Sequence, residues 1–178
     1  MTIPAEDVSI SVSRWLGNAI DSANLALMLC DTDLNIAYCN KAASNFFSKR
    51  QADISASLKG FDAREMLGLS VTSFINNDSE RRTLLDPGKL PYMTEIKIGP
   101  LQLMLNVSAV FDDAGQFSGI LIEWQDVTQE RAAERAIEQT IAAATCGNIS
   151  ERIDTSGFEW FVLNVGQGIN ELLDNLSA

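Results

Sequence analysis

Histidine does not occur in this 178-residue sequence. Its absence removes the commonest general base, the commonest metal ligand and the usual charge switch near neutral pH. Positive charge is scarce as well: 13 Lys and Arg stand against 24 Asp and Glu, a net charge of -11. Such a surface repels phosphate backbones and anionic lipid, so no nucleic acid partner and no polybasic membrane dock is expected. Cysteine is limited to Cys30, Cys39 and Cys146, too widely spaced for a C-x-x-C zinc or redox motif or for a disulfide framework. These three read as buried or incidental thiols. There is no run of ~18 apolar residues, and no basic segment followed by an apolar stretch opens the chain. A cytoplasmic location follows as the expectation. With no histidine, no cysteine in a nucleophile motif and no clustered metal ligands, no catalytic residue and no metal site is assigned, and the chain is not read as an enzyme.

What is present is a hydrophobic content of 46%, enough for a real core, in a length suited to one domain and an appendage. Residues 1–8 read as a loose lead-in. "SISVSRWLGNAIDSA" (9–23) places Ile10, Trp15, Leu16, Ala19 and Ile20 at roughly helical spacing, an amphipathic N-terminal helix. "LALMLC" (25–30) is a continuous apolar run suited to a strand covered on both faces, "DTDLN" is a turn, and "IAYC" (36–39) is the hairpin partner. Asn40 can cap a helix from Lys41 whose apolar face is Ala42, Phe46 and Phe47. Short helical pieces broken by Gly60 and Gly68 fill 51–86, with Leu58, Phe61, Met66, Leu67, Phe74, Leu84 and Leu85 directed to the core; "DPGKLP" (86–91) is a loop.

From residue 92 the period changes to two. "YMTEIKI" (92–98) precedes "LQLMLNVSAVF", in which Leu101, Leu103, Leu105, Val107, Ala109 and Phe111 alternate with the opposite set, and "DDAGQ" turns into a strand at 117–125. The order predicts an α+β domain with a five-stranded antiparallel sheet and a helical flank. Its natural cavity lies between sheet and helices. The candidate pocket residues are Phe46, Phe74, Ile75, Asn106, Ile120, Ile122 and Trp124. Trp124 has two readings, a core aromatic or an indole donor beside a ligand.

The strand at 117–125 passes within three residues into a charged helical pattern, "ILIEWQDVTQERAAERAIEQ". Asp126 (with Gln129 three residues on) or Thr128 would cap that helix. A cap placed where strand meets helix also suits signal transfer, so Asp126 and Thr128 are the candidate signal junction. Beyond it Ile137, Ile141 and Ala144 are spaced four then three, Gly147 stops the helix, and after a connector Val162, Val165, Ile169, Leu172 and Leu176 form a second seam. Two such short helices cannot bury their seams alone, and a parallel four-helix bundle from two chains is the expected solution. Two other patterns lapse. Asp31, Asp33 and Asn35 match the first calcium-loop positions, but Ile36 and Ala42 stand where the pattern needs Gly and Glu. The Asn-x-Ser matches at Asn106, Asn148 and Asn175 lack a secretion signal.

The stretches "LCDTDLNIAYCNKAA", "FDAREMLGLSVTSF" and "EIKIGPLQLMLNVSAVFDDAGQFSGILIEWQDVT", closing on Asp126-Val127-Thr128, resemble a PAS domain of the type in bacterial methyl-accepting chemotaxis receptors. "AAATCGNISERID" and "GQGINELLDNL" resemble a HAMP unit of the same receptors. The resemblance implies an N-terminal helical cap at 1–23, a PAS sensor at 24–128, and a HAMP-like helical pair at 129–178. That pair breaks off in mid-helix. It implies a cytosolic sensory input module for signal transduction in chemotaxis, homodimeric through its N-terminal and HAMP helices. In the full protein a downstream methyl-accepting signalling domain and the chemotaxis kinase complex would follow. The alternative is a PAS regulator of a histidine kinase or a cyclic-dinucleotide enzyme. Haem-binding receptors of this type carry histidines where this sequence has Ile75 and Glu80, so haem is not expected. A flavin such as FAD stays open, with Asn76, Asn77 and Asn106 as polar groups, and so does an empty pocket.

Overall fold

A computed structural model describes residues 5–75, 77–158 and 160–177. The chain divides into two compact units, Met1–Gln125 and Asp126–Ala178. In the first, helix α1 (Ala5–Ser22) leads into the hairpin β1 (Ala26–Cys30) and β2 (Ile36–Cys39). Helices α2 (Lys41–Lys49) and α3 (Gln51–Ser57), a 3-10 turn (Val71–Phe74), α4 (Asp78–Leu84) and a second 3-10 turn (Pro87–Lys89) follow. β3 (Tyr92–Ile98), β4 (Leu101–Phe111) and β5 (Phe117–Asp126) complete the unit's secondary structure. The antiparallel sheet runs β2-β1-β5-β4-β3, which puts β5 in its centre although it comes last in the chain. This is the α+β arrangement read from the sequence.

β5 can pair with β1 because residue 119 is glycine. Its φ is +151°, and a Cβ there would sit 2.1 Å from the Cys30 carbonyl oxygen. Ala26, Met28 and Cys30 are buried while Leu27 and Leu29 are half-buried, so β1 alternates and is not covered on both faces as its apolar run suggested. On β4 the buried set is Leu101, Leu103, Leu105 and Val107. Val107 is the last β4 residue opposite β3, paired with Tyr92, so Ala109 and Phe111 lie beyond that strand. Phe111 is exposed and rests on Phe117, with ring centroids 6.3 Å apart.

Asn40 binds the layers together. It caps α2 by accepting from Ala43 N–H (2.9 Å) and also accepts from Leu27 N–H (3.0 Å). Its amide donates to the Ile20 and Leu25 carbonyls (3.0 and 2.9 Å). One buried side chain thus joins the end of α1, the start of β1 and the start of α2, and every hydrogen-bonding position it has is used. Tyr38 adds a second tie, donating to Asp21 of α1 at 2.6 Å. α1 begins at Ala5, earlier than the sequence pattern indicated; Trp15, Leu16 and Ile20 are exposed, and the side chain of Ile10 lies outside the described residues. Leu67 and Leu85 are exposed too: each sits beside a buried neighbour, Met66 and Leu84, in a turn that sends successive side chains apart.

The second unit consists of α5 (Thr128–Thr145), a connector, and α6 (Trp160–Ser177). Within one chain the seam residues read from the sequence are only partly covered. On α5 Ala133 and Thr140 are buried and Ile141 is exposed. On α6 Leu173 is 3% exposed, against 60% for Leu172 and 63% for Leu176. The connector adds to the interior of this unit. Its Ile153 is buried, and the Asn170 side chain clamps the Ile153 backbone, accepting from N–H (2.8 Å) and donating to C=O (2.9 Å). Arg152 reaches Asp174 through Nε (2.8 Å) and Nη2 (2.6 Å). Gly166 lets the connector come close, since a Cβ there would lie 2.8 Å from Thr155 Cγ2.

Candidate signal-transfer site

On β5 the side chains of Ile120, Ile122 and Trp124 all turn to the helical layer, opposite Cys30, Met28 and Ala26 of β1. Trp124 meets Phe47 of α2 (centroids 5.2 Å, planes at 79°) and Phe74 of the first 3-10 turn (5.6 Å, 75°). Phe47 and Phe74 touch each other at 5.6 Å, and Phe61 packs against both at 6.1 and 5.7 Å. Edge-to-face contacts of this kind each add ~0.5–1.5 kcal/mol beyond the area they bury. Trp124 Nε1 is the one buried side-chain polar atom without a hydrogen-bond partner among the described residues.

Of the seven candidate pocket residues, Phe74, Ile75, Ile120, Ile122 and Trp124 are fully buried in one core. Phe46 is half-buried at its margin, edge-on to Phe47 (5.1 Å). Asn106 does not join them. Leu105 and Val107 on either side of it point into the core, so the two-residue period turns Asn106 to the opposite face, where its amide donates to Glu123 (3.3 Å). The amide set considered for a flavin is therefore not assembled: Asn77 caps α4 by accepting from Ser79 N–H, and Asn76 lies outside the described residues. Sequence reasoning named Phe47 as core but missed it as the hub of the rings. It missed Arg81 altogether, because nothing in a helical period marks a guanidinium that folds back onto the preceding turn.

Burial pushes the Cys30 thiol up to about 12, with Cys39 and Asp31 adding to it, and burial alone takes Cys39 to about 11. Both stay protonated at any ordinary pH, so neither offers a thiolate. Among the described residues no group of three His, Cys, Asp or Glu is placed to hold a metal ion.

β5 ends at Asp126 and α5 begins at Thr128, with only Val127 between them. Asp126 Oδ1 accepts from the Thr128 backbone N–H (3.0 Å) and from its hydroxyl (2.5 Å), and Arg131 N–H closes the first helical turn on the Val127 carbonyl (2.9 Å). Asp126 thus satisfies a donor that a helix start leaves open. The N-cap position itself falls on Val127, which has no side-chain cap, so neither Asp126 nor Thr128 caps α5 as the sequence suggested; the two are instead bonded to each other across it. Within the second unit, α5 and α6 leave an apolar groove of about 350 Å³ floored by Ala133, Ile137, Phe161, Val162 and Val165 and edged by Glu130, Glu134 and Glu138.

No family model matches the chain. The methyl-accepting chemotaxis protein McpB of Pseudomonas aeruginosa is 33% identical over 170 residues, which is 96% of this chain. The chain spans about a quarter of that relative, 25% of its length. Among solved structures, the Aer2 receptor of Vibrio cholerae, a dual PAS-haem oxygen sensor, is 28% identical with a TM-score of 0.55 over 58% of this chain and 94% of that one. An RNA-binding light-oxygen-voltage receptor aligns at a TM-score of 0.53 over 78% of this chain and 39% of that one; at 16% identity the likeness concerns the fold alone. The five-stranded sheet with its helical layer is a PAS fold, and over nearly its whole length the chain is similar to part of a methyl-accepting chemotaxis receptor.

Proposed function

We propose that the chain is the cytosolic sensory input segment of a chemoreceptor-like transducer, and that Asp126-Val127-Thr128 hands a change in the PAS domain to a dimeric HAMP-like bundle. The observation that carries this reading is the position of β5. As the central strand it is held on both edges, its core face carries Trp124 in the ring cluster, and α5 begins four residues after that ring. A shift of the rings therefore acts on the strand that leads to the helix. Bundle arrangements separated by only ~1–3 kcal/mol are enough for such coupling. The exposed Leu172, Leu176 and Phe161 and the groove between α5 and α6 support a homodimer, and the exposed Trp15, Leu16 and Ile20 of α1 support a second contact between copies. No described helix is long and apolar enough to cross a membrane, which agrees with the cytosolic placement. A downstream methyl-accepting domain and the chemotaxis kinase complex are the output partners this reading implies. It assigns no reaction to the chain itself.

The test replaces Asp126 or Thr128 by Ala in the receptor that carries this segment. The expected result is an intact PAS fold by circular dichroism with kinase control shifted away from wild type. Normal stimulus-dependent kinase control in both variants would remove the junction from the mechanism.

A further inference from the structure

We propose that the PAS core of this chain is sealed by its own side chains and takes no haem: the rings of Phe47, Phe61, Phe74 and Trp124 fill it, and Arg81 fastens the segment that closes it. The relative described as a PAS-haem sensor makes haem the group to test. An axial ligand comes from His, from a Cys thiolate, from Met paired with a His, or from Tyr, and here Met28 and Met66 have no His to pair with while the Tyr38 hydroxyl is held by Asp21. There is no His. Ile75 is a fully buried aliphatic side chain, and Glu80 accepts a hydrogen bond from Thr94 of β3 at 3.3 Å. Cys30 and Cys39 are held as neutral thiols. Four rings with centroids 5.2–6.1 Å apart leave their shared volume to one another.

The closing segment has a fastener of its own. Arg81 of α4 folds back so that Nε donates to the Ile75 carbonyl (2.8 Å) and Nη2 to the Thr72 carbonyl (3.0 Å), while Nη1 lies 3.6 Å from Asp78. These carbonyls stand at the end of the 3-10 turn that holds Phe74 in the core. A planar fork can take two carbonyls at once, which a lysine cannot. The unpartnered Trp124 N–H fits a dry core, since ring edges against ring faces are a setting in which an indole can go without a full acceptor. In a sealed core, a stimulus acts on the domain surface or on its contacts with other chains.

Trp15→Phe with Trp160→Phe in the full chain leaves Trp124 as the only indole, so its fluorescence reports the core. Equimolar haemin is expected to leave a short-wavelength emission unquenched and to give no Soret band that saturates at one haem per chain. Uptake that never saturates, with the emission intact, is adsorption at the surface and upholds the inference. A sharp Soret band saturating at one equivalent with quenched emission overturns it. Separately, Arg81→Gln is expected to speed amide exchange across 72–84 by roughly tenfold or more while amides of β4 and β5 keep their protection. Unchanged exchange in 72–84 would end the role of Arg81. Should Gln unfold the domain outright, Arg81→Lys keeps the charge, loses the fork, and is read by the same two sets of amides.

Discussion

The two units of this chain bury their apolar residues to very different degrees. In the first, Phe47, Met28, Leu103, Leu105 and Ile122 are wholly removed from solvent, and the polar Asn40 buried among them is fully bonded. In the second, the interior is small, with Ala133 and Thr140 of α5, Ile153 of the connector and Leu173 of α6, while Leu172, Leu176 and Phe161 remain exposed. Each large side chain left wet forgoes ~1.5–3 kcal/mol of burial. The first unit thus has a large core closed within one chain, with its exposed apolar residues mostly on α1 and the sheet margin, whereas the second has little interior of its own. A sensor needs this difference: a fixed body to receive a change and a marginal element whose arrangement the change can bias.

The comparison breaks most visibly at its strongest points. Phe47→Ala removes the ring that touches Phe46, Phe61, Phe74 and Trp124, and should lower the stability of the first unit by ~3–5 kcal/mol in a denaturant titration. A loss below ~1 kcal/mol would mean that the rings are not a packed core. Asn40→Ala leaves two backbone N–H groups and two carbonyls without their partner, and a loss of ~2–4 kcal/mol is expected by the same measurement.

Neighbouring leucines sharpen the contrast in the second unit. Leu173→Ala should cost ~2–3 kcal/mol at any protein concentration, because its cavity forms within one chain. Leu172→Ala and Leu176→Ala should change the dilute chain by less than ~0.5 kcal/mol, yet weaken self-association in sedimentation equilibrium. If Leu172 and Leu176 prove silent in both measurements, the exposed seam is not a contact between copies.

The smallest effect is electrostatic. The Arg64 side chain, helped by its backbone N–H, holds the Asp62 carboxyl at about 2, below its ordinary 3.8. A depressed value favours the folded state above pH ~4, and that contribution is lost as pH falls from about 4 to about 2. The pair is exposed, so a slight fall in melting temperature is expected, and Asp62→Asn should remove this part of the pH dependence. In the second unit Asp154 is lowered in the same direction by the Ser156 hydroxyl and backbone, so both units carry a term that weakens in acid.

Local pattern carried the strands of the first unit. Period two in 101–111 and the turn at 112–116 place β4 and β5, and Asn40 before Lys41 marks the start of α2. The passage from strand to helix at 126–128 was legible as well, although the cap position falls on Val127 and not on Asp126 or Thr128. Pattern failed where a second element decides. The amide of Asn106 suggests a pocket residue, but its strand face turns it away; and no helical period marks that Asn170 bonds the connector backbone at Ile153.

The sequence by itself determined the order of elements, the absence of histidine chemistry, and the direct passage from strand to helix at 126–128. These depend on neighbours within a few residues, which periodicity and capping report. Only the tertiary structure decided that β5 is the central strand, that Phe47, Phe61, Phe74 and Trp124 from separate parts of the chain form one cluster, and that Asn170 holds the connector against α6. Those contacts join residues far apart in the chain, and their choice is made by shape and burial in the folded protein.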